Sequence, residues 1–222
     1  MSSAPDNALP ALTEDTALAA PVERSSVATD VALIATFAAF IAVCAIIGEI
    51  QTGSSVPITL QTFGVILTGL VLGWWRGALA VLLYLALGLV GLPIFAEHTG
   101  GVAVLGKASA GYLLAFPLGA ALAGFFATMT MRAVDRYVPE GRPALRSAWR
   151  YAALFISGLA ASFLTIHAAG MAGLMLRLGI TFREALAIDV VFWAGDVIKN
   201  LAAAAVALAI FRAFPDLLRN RR

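Results

Sequence analysis

Charge is scarce in this sequence. Asp, Glu, Lys and Arg make up 13% of its 222 residues, about half the ~25% usual in soluble domains. A soluble domain of this length needs a charged surface, and the chain cannot supply one. Cysteine is nearly absent. Cys44 stands alone, which excludes an intrachain disulfide framework, and its place in an apolar run reads as a small packed hydrophobe. With two histidines, His98 and His167, and that one cysteine, no cluster has the ligand spacing of a zinc site, and neither metal nor cofactor is expected. The G-x-x-x-x-G-K-[ST] pattern is missing, which excludes ATP hydrolysis by a P-loop in this chain. The net charge of +2 offers no basic surface for nucleic acid. Residues 1–28 lack the basic start and immediate apolar core of a secretory signal and read as a mobile cytoplasmic tail. No internal repeat relates the two halves, which argues against an inverted-repeat transporter.

Apolar surface fills the rest. Hydrophobic residues make up 61% of the chain and the mean hydropathy is +0.91. Several runs reach or approach the ~20 residues that span a bilayer as a helix. The expected fold is an all-α integral membrane protein, a compact bundle of six transmembrane helices over 29–48, 58–73, 77–91, 109–131, 150–177 and 184–212. The membrane domain is 29–213, followed by a basic tail, 214–222. The second and third helices are short for a full span, and a GWWRG turn from Gly73 to Gly77 separates them. The arginine-rich stretch 132–149, with two prolines, reads as a loop. Lys and Arg gather on the cytoplasmic side of membrane proteins. Six spans put eleven cations on one side: Arg24, Arg76, Arg132, Arg136, Arg142, Arg146, Arg150, Arg212, Arg219, Arg221 and Arg222. Three, Lys107, Arg177 and Arg183, fall on the other. That split predicts both termini in the cytoplasm. The glycine-rich connections 49–57 and 91–108 then face outside, as lids over the bundle.

The remaining cation, Lys199, lies inside the last helix with Asp189 and Asp196. An ionisable residue at the centre of a span costs about 2.5–3.5 kcal/mol on insertion scales. Asp196 lies roughly 18 Å along the helix from Glu184, where a short acidic side chain cannot snorkel to water. Spacings of seven and three residues set all three groups on one face. An internal ion pair that only supports packing is one reading. A ligand site is the other, and it is favoured because buried pairs rarely add net stability. The role of Asp189 is open.

A second signal is VPITLQ, Val56 to Gln61. Pro57 suits a helix start, where its missing N–H costs nothing, and Thr59 and Gln61 sit on the first turn. A third is the segment Gly91–Tyr112. Its glycines allow close backbone approach to a ligand. The amides of Gly100 and Gly101 could cradle an anion, Lys107 or His98 could add positive charge, and Tyr112 offers a ring and a hydroxyl. A plain external loop is the competing reading. His167, in mid-helix, reads as a packed, hydrogen-bonded residue rather than a metal ligand. Ala28, Ala32, Ala35, Ala39 and Ala42 form a small-residue stripe suited to close helix contact, within the bundle or with another subunit. No flanking motif supports an intramembrane hydrolase.

Three segments in order resemble the BioY family, the biotin-specific substrate-capture (S) components of energy-coupling factor (ECF) transporters. They are VPITLQTFGVILTGLVLG (56–73), GALAVLLYLALGLVGLPIF (77–95) with GGVAVLGKASAGYLL (100–114), and GDVIKN (195–200). The resemblance covers most of 29–212. One departure is visible: Gly106 to Tyr112 stands where the family carries a Gly-Pro-Thr-Gly-Gly-Tyr-like stretch. The resemblance implies a six-helix bundle in the bacterial cytoplasmic membrane with an outward-facing biotin pocket. It implies Asp196 and Lys199 as the acidic and basic positions of the last helix, Tyr112 with Gly100 and Gly101 as the binding loop, and Gln61 as a further family position. The partners it implies are a transmembrane coupling (T) component and paired ATP-binding-cassette ATPases, and helix 1 with its alanine stripe is the candidate contact. A carboxylate and an ammonium on one helix face suit the N–H donors and carbonyl of a ureido ring. The tail carboxylate would then meet Gly100, Gly101 and Lys107, while Tyr112, Trp193 or Phe95 packs on the apolar ring. The reversed pose, with the tail at Lys199, is also open. Rival readings are an S component for riboflavin or thiamine, an intramembrane enzyme, and a membrane subunit with no ligand.

Overall fold

Backbone in hydrocarbon has no water to bond, so it must satisfy its own amides and carbonyls. The chain does this with helices. The computed structural model describes residues 26–47, 56–215 and 217. Among them run α1 Val27–Ile47, α2 Gln61–Leu72, α3 Trp74–Val90, α4 Ala110–Tyr137, α5 Pro143–Leu178 and α6 Phe182–Ala213. Four of these, α1, α4, α5 and α6, are long and apolar enough to cross a membrane. Most of the expected N-terminal tail, most of the 49–57 connection and most of the basic tail lie outside the described residues.

The two shorter helices hold 12 and 17 residues, roughly 18 and 26 Å against a hydrocarbon core of ~30 Å. Protein surrounds α2. Ten of its twelve residues are buried, and it packs against every other helix. A short helix wrapped in protein need not reach both interfaces. Glycines make the close crossings. A Cβ on Gly69 of α2 would stand 2.2 Å from the Ala120 carbonyl oxygen of α4, and one on Gly111 of α4 would stand 2.4 Å from the Ala169 oxygen of α5.

Two expected boundaries are corrected. GWWRG is not a loop: Gly73 alone breaks the helix, with φ 84°, and Trp74 to Gly77 form the first turn of α3. Arg76 is buried there, 2.7 Å from Asp30 of α1, with its guanidinium over the Trp75 ring. The arginine-rich stretch 132–149 is largely helical, because arginine is a good helix former. Only 138–142 connects α4 to α5. Pro143 opens α5 in its first turn, where proline is tolerated. Asp135 takes ion pairs from Arg146 and Arg150 across the turn. At the start of α6, Thr181 and Glu184 form a reciprocal capping box, which sets the helix start at Phe182.

These arginine contacts, with Arg212 bonded to Ser147, lie at one end of the bundle. At the other end the 91–108 segment folds back over the helices. Phe95 is buried edge-on to Tyr84, 5.3 Å between ring centroids. It fills the space that a Cβ on Gly88 would need. Two short 3-10 turns follow, at Ala96–His98 and Val102–Gly106, and Arg177 of α5 bonds the Leu105 carbonyl. A lid over the bundle is what the sequence predicts for this segment.

Candidate functional site

The end of the bundle under this lid holds a cavity with about 120 Å³ open to the centres of water-sized molecules. Val56, Pro57, Thr59, Gln61 and Thr62 line one side, Phe95, Ala96, Glu97, Thr99, Val104, Lys107 and Ser109 contribute from the lid, and Tyr112, Leu113 and Phe116 come from α4. Ile166, His167, Phe192, Asp196 and Lys199 complete it. Apolar walls with a few convergent polar groups are the usual make-up of a small-molecule site.

The polar floor is built on α6. Lys199 Nζ lies 2.9 Å from Asp196 Oδ1 and donates at 3.1 Å to Thr62 Oγ, whose hydroxyl donates at 3.0 Å to the same Oδ1. Asp196 is 3% exposed. Asn200 Nδ2 donates to the Asp196 main-chain carbonyl one turn back. Two α6 turns before Asp196, Asp189 is fully buried and accepts from Tyr112 OH and Trp193 Nε1, each at 2.8 Å. His167 Nδ1 sits 2.9 Å from both Asp189 oxygens. Its Nε2 lies 3.1 Å from Asp196 Oδ2, off the axis of an aligned hydrogen bond, so the contact is one of charge and proximity. Asp189, His167, Asp196 and Lys199 therefore form a continuous chain at the floor of the cavity.

Each residue singled out in the sequence has a place. Asp196, Lys199, Tyr112, Gln61 and Lys107 all line the cavity. Gln61 Nε2 donates at 2.6 Å to Tyr84 OH, which donates on to the Ile94 carbonyl, so it ties α2 to α3 and the lid. Lys107 pairs with Glu97 at the mouth. Gly100 and Gly101 do not line the cavity. The Gly101 amide donates at 2.7 Å to Gly88 O, and Gly100 packs on the Leu92 backbone. The glycines fold the lid onto α3, and the expected anion cradle is revised on that ground. Trp193 does not line the cavity either, since its indole is turned to Asp189 and stands edge-on to Phe163. Ala28, Ala32, Ala35 and Ala39 face away from the bundle, whose contacts α1 makes with Ala38, Ile41, Cys44 and Ala45.

Two floor residues escaped the sequence. Thr62 carried no signal beyond its position after Gln61. His167 was read as hydrogen-bonded, and it is, but nothing in one sequence pairs residue 167 with 189 and 196. The backbone places it: Ser162–His167 is a π-helical segment inside α5, a widening that recurs at functional sites. It turns His167 toward α6, with Phe163 stacked on the imidazole at 4.4 Å.

Comparison with known proteins converges on one family. The profile of the BioY family matches residues 15–216. A biotin transporter BioY of Rhizobium etli is 33% identical over 189 residues, covering 85% of this chain and 96% of that protein. A biotin transporter BioY of Rhodobacter capsulatus is 49% identical over a shorter stretch, 38% of this chain and 45% of its own length. Among solved structures, the crystal structure at 2.1 Å of an S-component for biotin from an ECF-type ABC transporter superposes with a TM-score of 0.70. It shares 25% identity over 83% of this chain and 92% of that one. Sequence along nearly the whole length and a matching helical fold agree: the chain belongs to the BioY family.

Proposed function

We propose that this protein captures biotin at the outer face of the cytoplasmic membrane and delivers it for uptake as the substrate-binding component of an ECF-type transporter. It is an integral membrane transport protein and not an enzyme. Six crossings with both termini in the cytoplasm are part of the proposal. The charge split of the sequence supports them, with α2 and α3 counted as short spans sheltered by their neighbours.

One observation carries the reading. A carboxylate and an ammonium, Asp196 and Lys199, meet a cavity on the floor of a membrane bundle, held there with Thr62. Charges so deep in an apolar chain are costly unless something uses them. A ureido ring presents two N–H donors and a carbonyl, and the floor presents an acceptor and a donor beside each other. Charge-assisted bonds of this kind are the strong ones. The aromatic walls, Phe95, Tyr112, Phe116 and Phe192, suit the sulfur-containing ring, and the valeric tail runs toward Lys107 and Ser109 at the mouth. Gly100 and Gly101 support the lid in this pose and do not hold the tail.

Titrating the purified protein with biotin tests the reading. Saturable one-to-one binding is expected, with riboflavin and thiamine giving none, and turnover of biotin would contradict it. A biotin analogue lacking the carboxylate then tests the pose. It is expected to lose as much affinity for Lys199→Ala as for wild type. A loss confined to wild type would put the tail at Lys199 instead.

The outward alanines of α1, Ala28, Ala32, Ala35 and Ala39, are the proposed seat of the T component, which couples capture to the ATPases. Small residues let a partner helix approach closely. Ala35→Leu with Ala39→Leu is expected to abolish biotin uptake by cells while leaving biotin binding by the purified protein intact. Uptake at the wild-type rate would remove α1 from the interface.

A further inference from the structure

We infer that His167 is held as an imidazolium between Asp189 and Asp196, and that in this charged form it is the positioning residue that fixes Asp196 for the ligand. The inference rests on the biotin-capture reading above and extends it to a floor residue that the pose does not bond to biotin.

Donor bookkeeping assigns the proton. Asp189 takes Tyr112 OH on Oδ1 and Trp193 N–H on Oδ2, so it is acting as an ionised acceptor on both oxygens. His167 Nδ1, 2.9 Å from both of them, must therefore be the donor. In a neutral imidazole the other nitrogen would then carry a lone pair. That nitrogen, Nε2, is buried 3.1 Å from Asp196 Oδ2 with no aligned hydrogen-bond partner, and lone-pair density this close to a carboxylate oxygen is repulsive even off axis. Asp196 is itself ionised as the counter-ion of the buried Lys199 ammonium, which stands 2.9 Å from its Oδ1. A second proton on the ring removes the repulsion and converts the contact into an attraction. The groups around the ring then balance. Asp189 and Asp196 of α6 are negative, His167 and Lys199 positive, and Tyr112 of α4 neutral. Glu97 and Lys107 cancel each other at the mouth. A neutral cluster is what a low-dielectric interior tolerates.

The consequence is directional. Lys199 and Thr62 hold Oδ1, and the His167 charge stands at Oδ2, so turning the carboxylate gives up attraction at both oxygens. Phe163 stacked on the imidazole and the π-helical turn keep the ring itself in place. Loss of the ring proton would leave a net negative floor and a carboxylate free to rotate, and ligand affinity would fall.

The test uses tag-free full-length protein in lipid nanodiscs, with ¹⁵N-labelled histidine. The chain has two histidines, and the one absent from His167→Gln is His167. His98→Asn, which leaves the floor untouched, makes the same assignment if His167→Gln does not fold. At neutral pH, without ligand, both ring nitrogens of His167 are expected at imidazolium shifts. Biotin affinity is expected to fall at alkaline pH in step with the loss of that signature. In His167→Gln affinity at neutral pH is expected to be about tenfold to a hundredfold lower, on the order of one charge-assisted contact, with the co-titrating step gone. A neutral-imidazole spectrum at pH 7, or an affinity that ignores the ring's titration, overturns the inference. An imidazolium spectrum in a wild-type protein that does not bind biotin supports the charge state and overturns the proposed function instead.

Discussion

Asp196→Asn lowers biotin affinity by about thirtyfold or more. Truncating one member of a buried, hydrogen-bonded charge pair costs about 2–5 kcal/mol, and each 1.4 kcal/mol is a factor of about ten. The substitution keeps the shape of the side chain and removes its charge. It strips the ammonium of Lys199 of its counter-ion and, in the proposed pose, deprives a ureido N–H of its charged acceptor. The cost has two parts, and they can be separated. Part falls on the protein, because an unpaired Lys199 is left on a nearly buried floor, and the melting temperature in detergent should drop. Part falls on the ligand. Replacing both members, Asp196→Leu with Lys199→Met, removes the charges together and should restore much of the thermal stability, while biotin binding stays lost. Calorimetric titration and a melting curve on the same samples read the two parts. Wild-type affinity in Asp196→Asn would end the assignment of this cavity to biotin.

Gly124→Val and Gly69→Val leave no folded, monodisperse protein. At Gly124 a Cβ would stand 2.4 Å from the Gly73 carbonyl carbon and 2.8 Å from Gly69 O, and at Gly69 it would stand 2.2 Å from Ala120 O. The obstacles are backbone atoms of a neighbouring helix, so no rotamer can yield. To admit the side chain, α2 and α4 must separate, and α2 is the helix that every other one packs against. Helix association in lipid rests on such close contact, since burial from lipid supplies no hydrophobic drive. Gly195→Ala, by contrast, meets nothing within 4 Å and should fold, bind biotin and gain up to about 1 kcal/mol of helix propensity. Size-exclusion profiles of the three variants decide the matter. A monodisperse Gly69→Val at wild-type yield would mean that α2 and α4 do not cross this closely.

These three glycines show where the legibility of the chain ends. All of them stand in apolar helical runs, and no local pattern ranks one above another. What separates them is whether another backbone lies within 3 Å, a fact of tertiary packing. The arginine-rich stretch carries the same lesson. It looked like a loop because charge clusters there, but Asp135 pairs with Arg146 and Arg150 across a five-residue turn and both helices run on into it. Gly101 likewise looked free to hold an anion until its amide was found bonded to Gly88.

By itself the sequence determined the solvent, the helical class, the asymmetry of charge and the acid–base pair of the last helix. Each follows from composition or from spacing along one strand of chain, and lipid penalises misplaced charge heavily enough to make such signals plain. Tertiary structure alone decided that His167 joins Asp189 to Asp196, that Thr62 completes the floor, and that α2 is sheltered enough to be short. Those facts depend on residues brought together across gaps of tens to more than a hundred positions. Proximity of that kind is a property of packed helices and leaves no periodicity in a single chain.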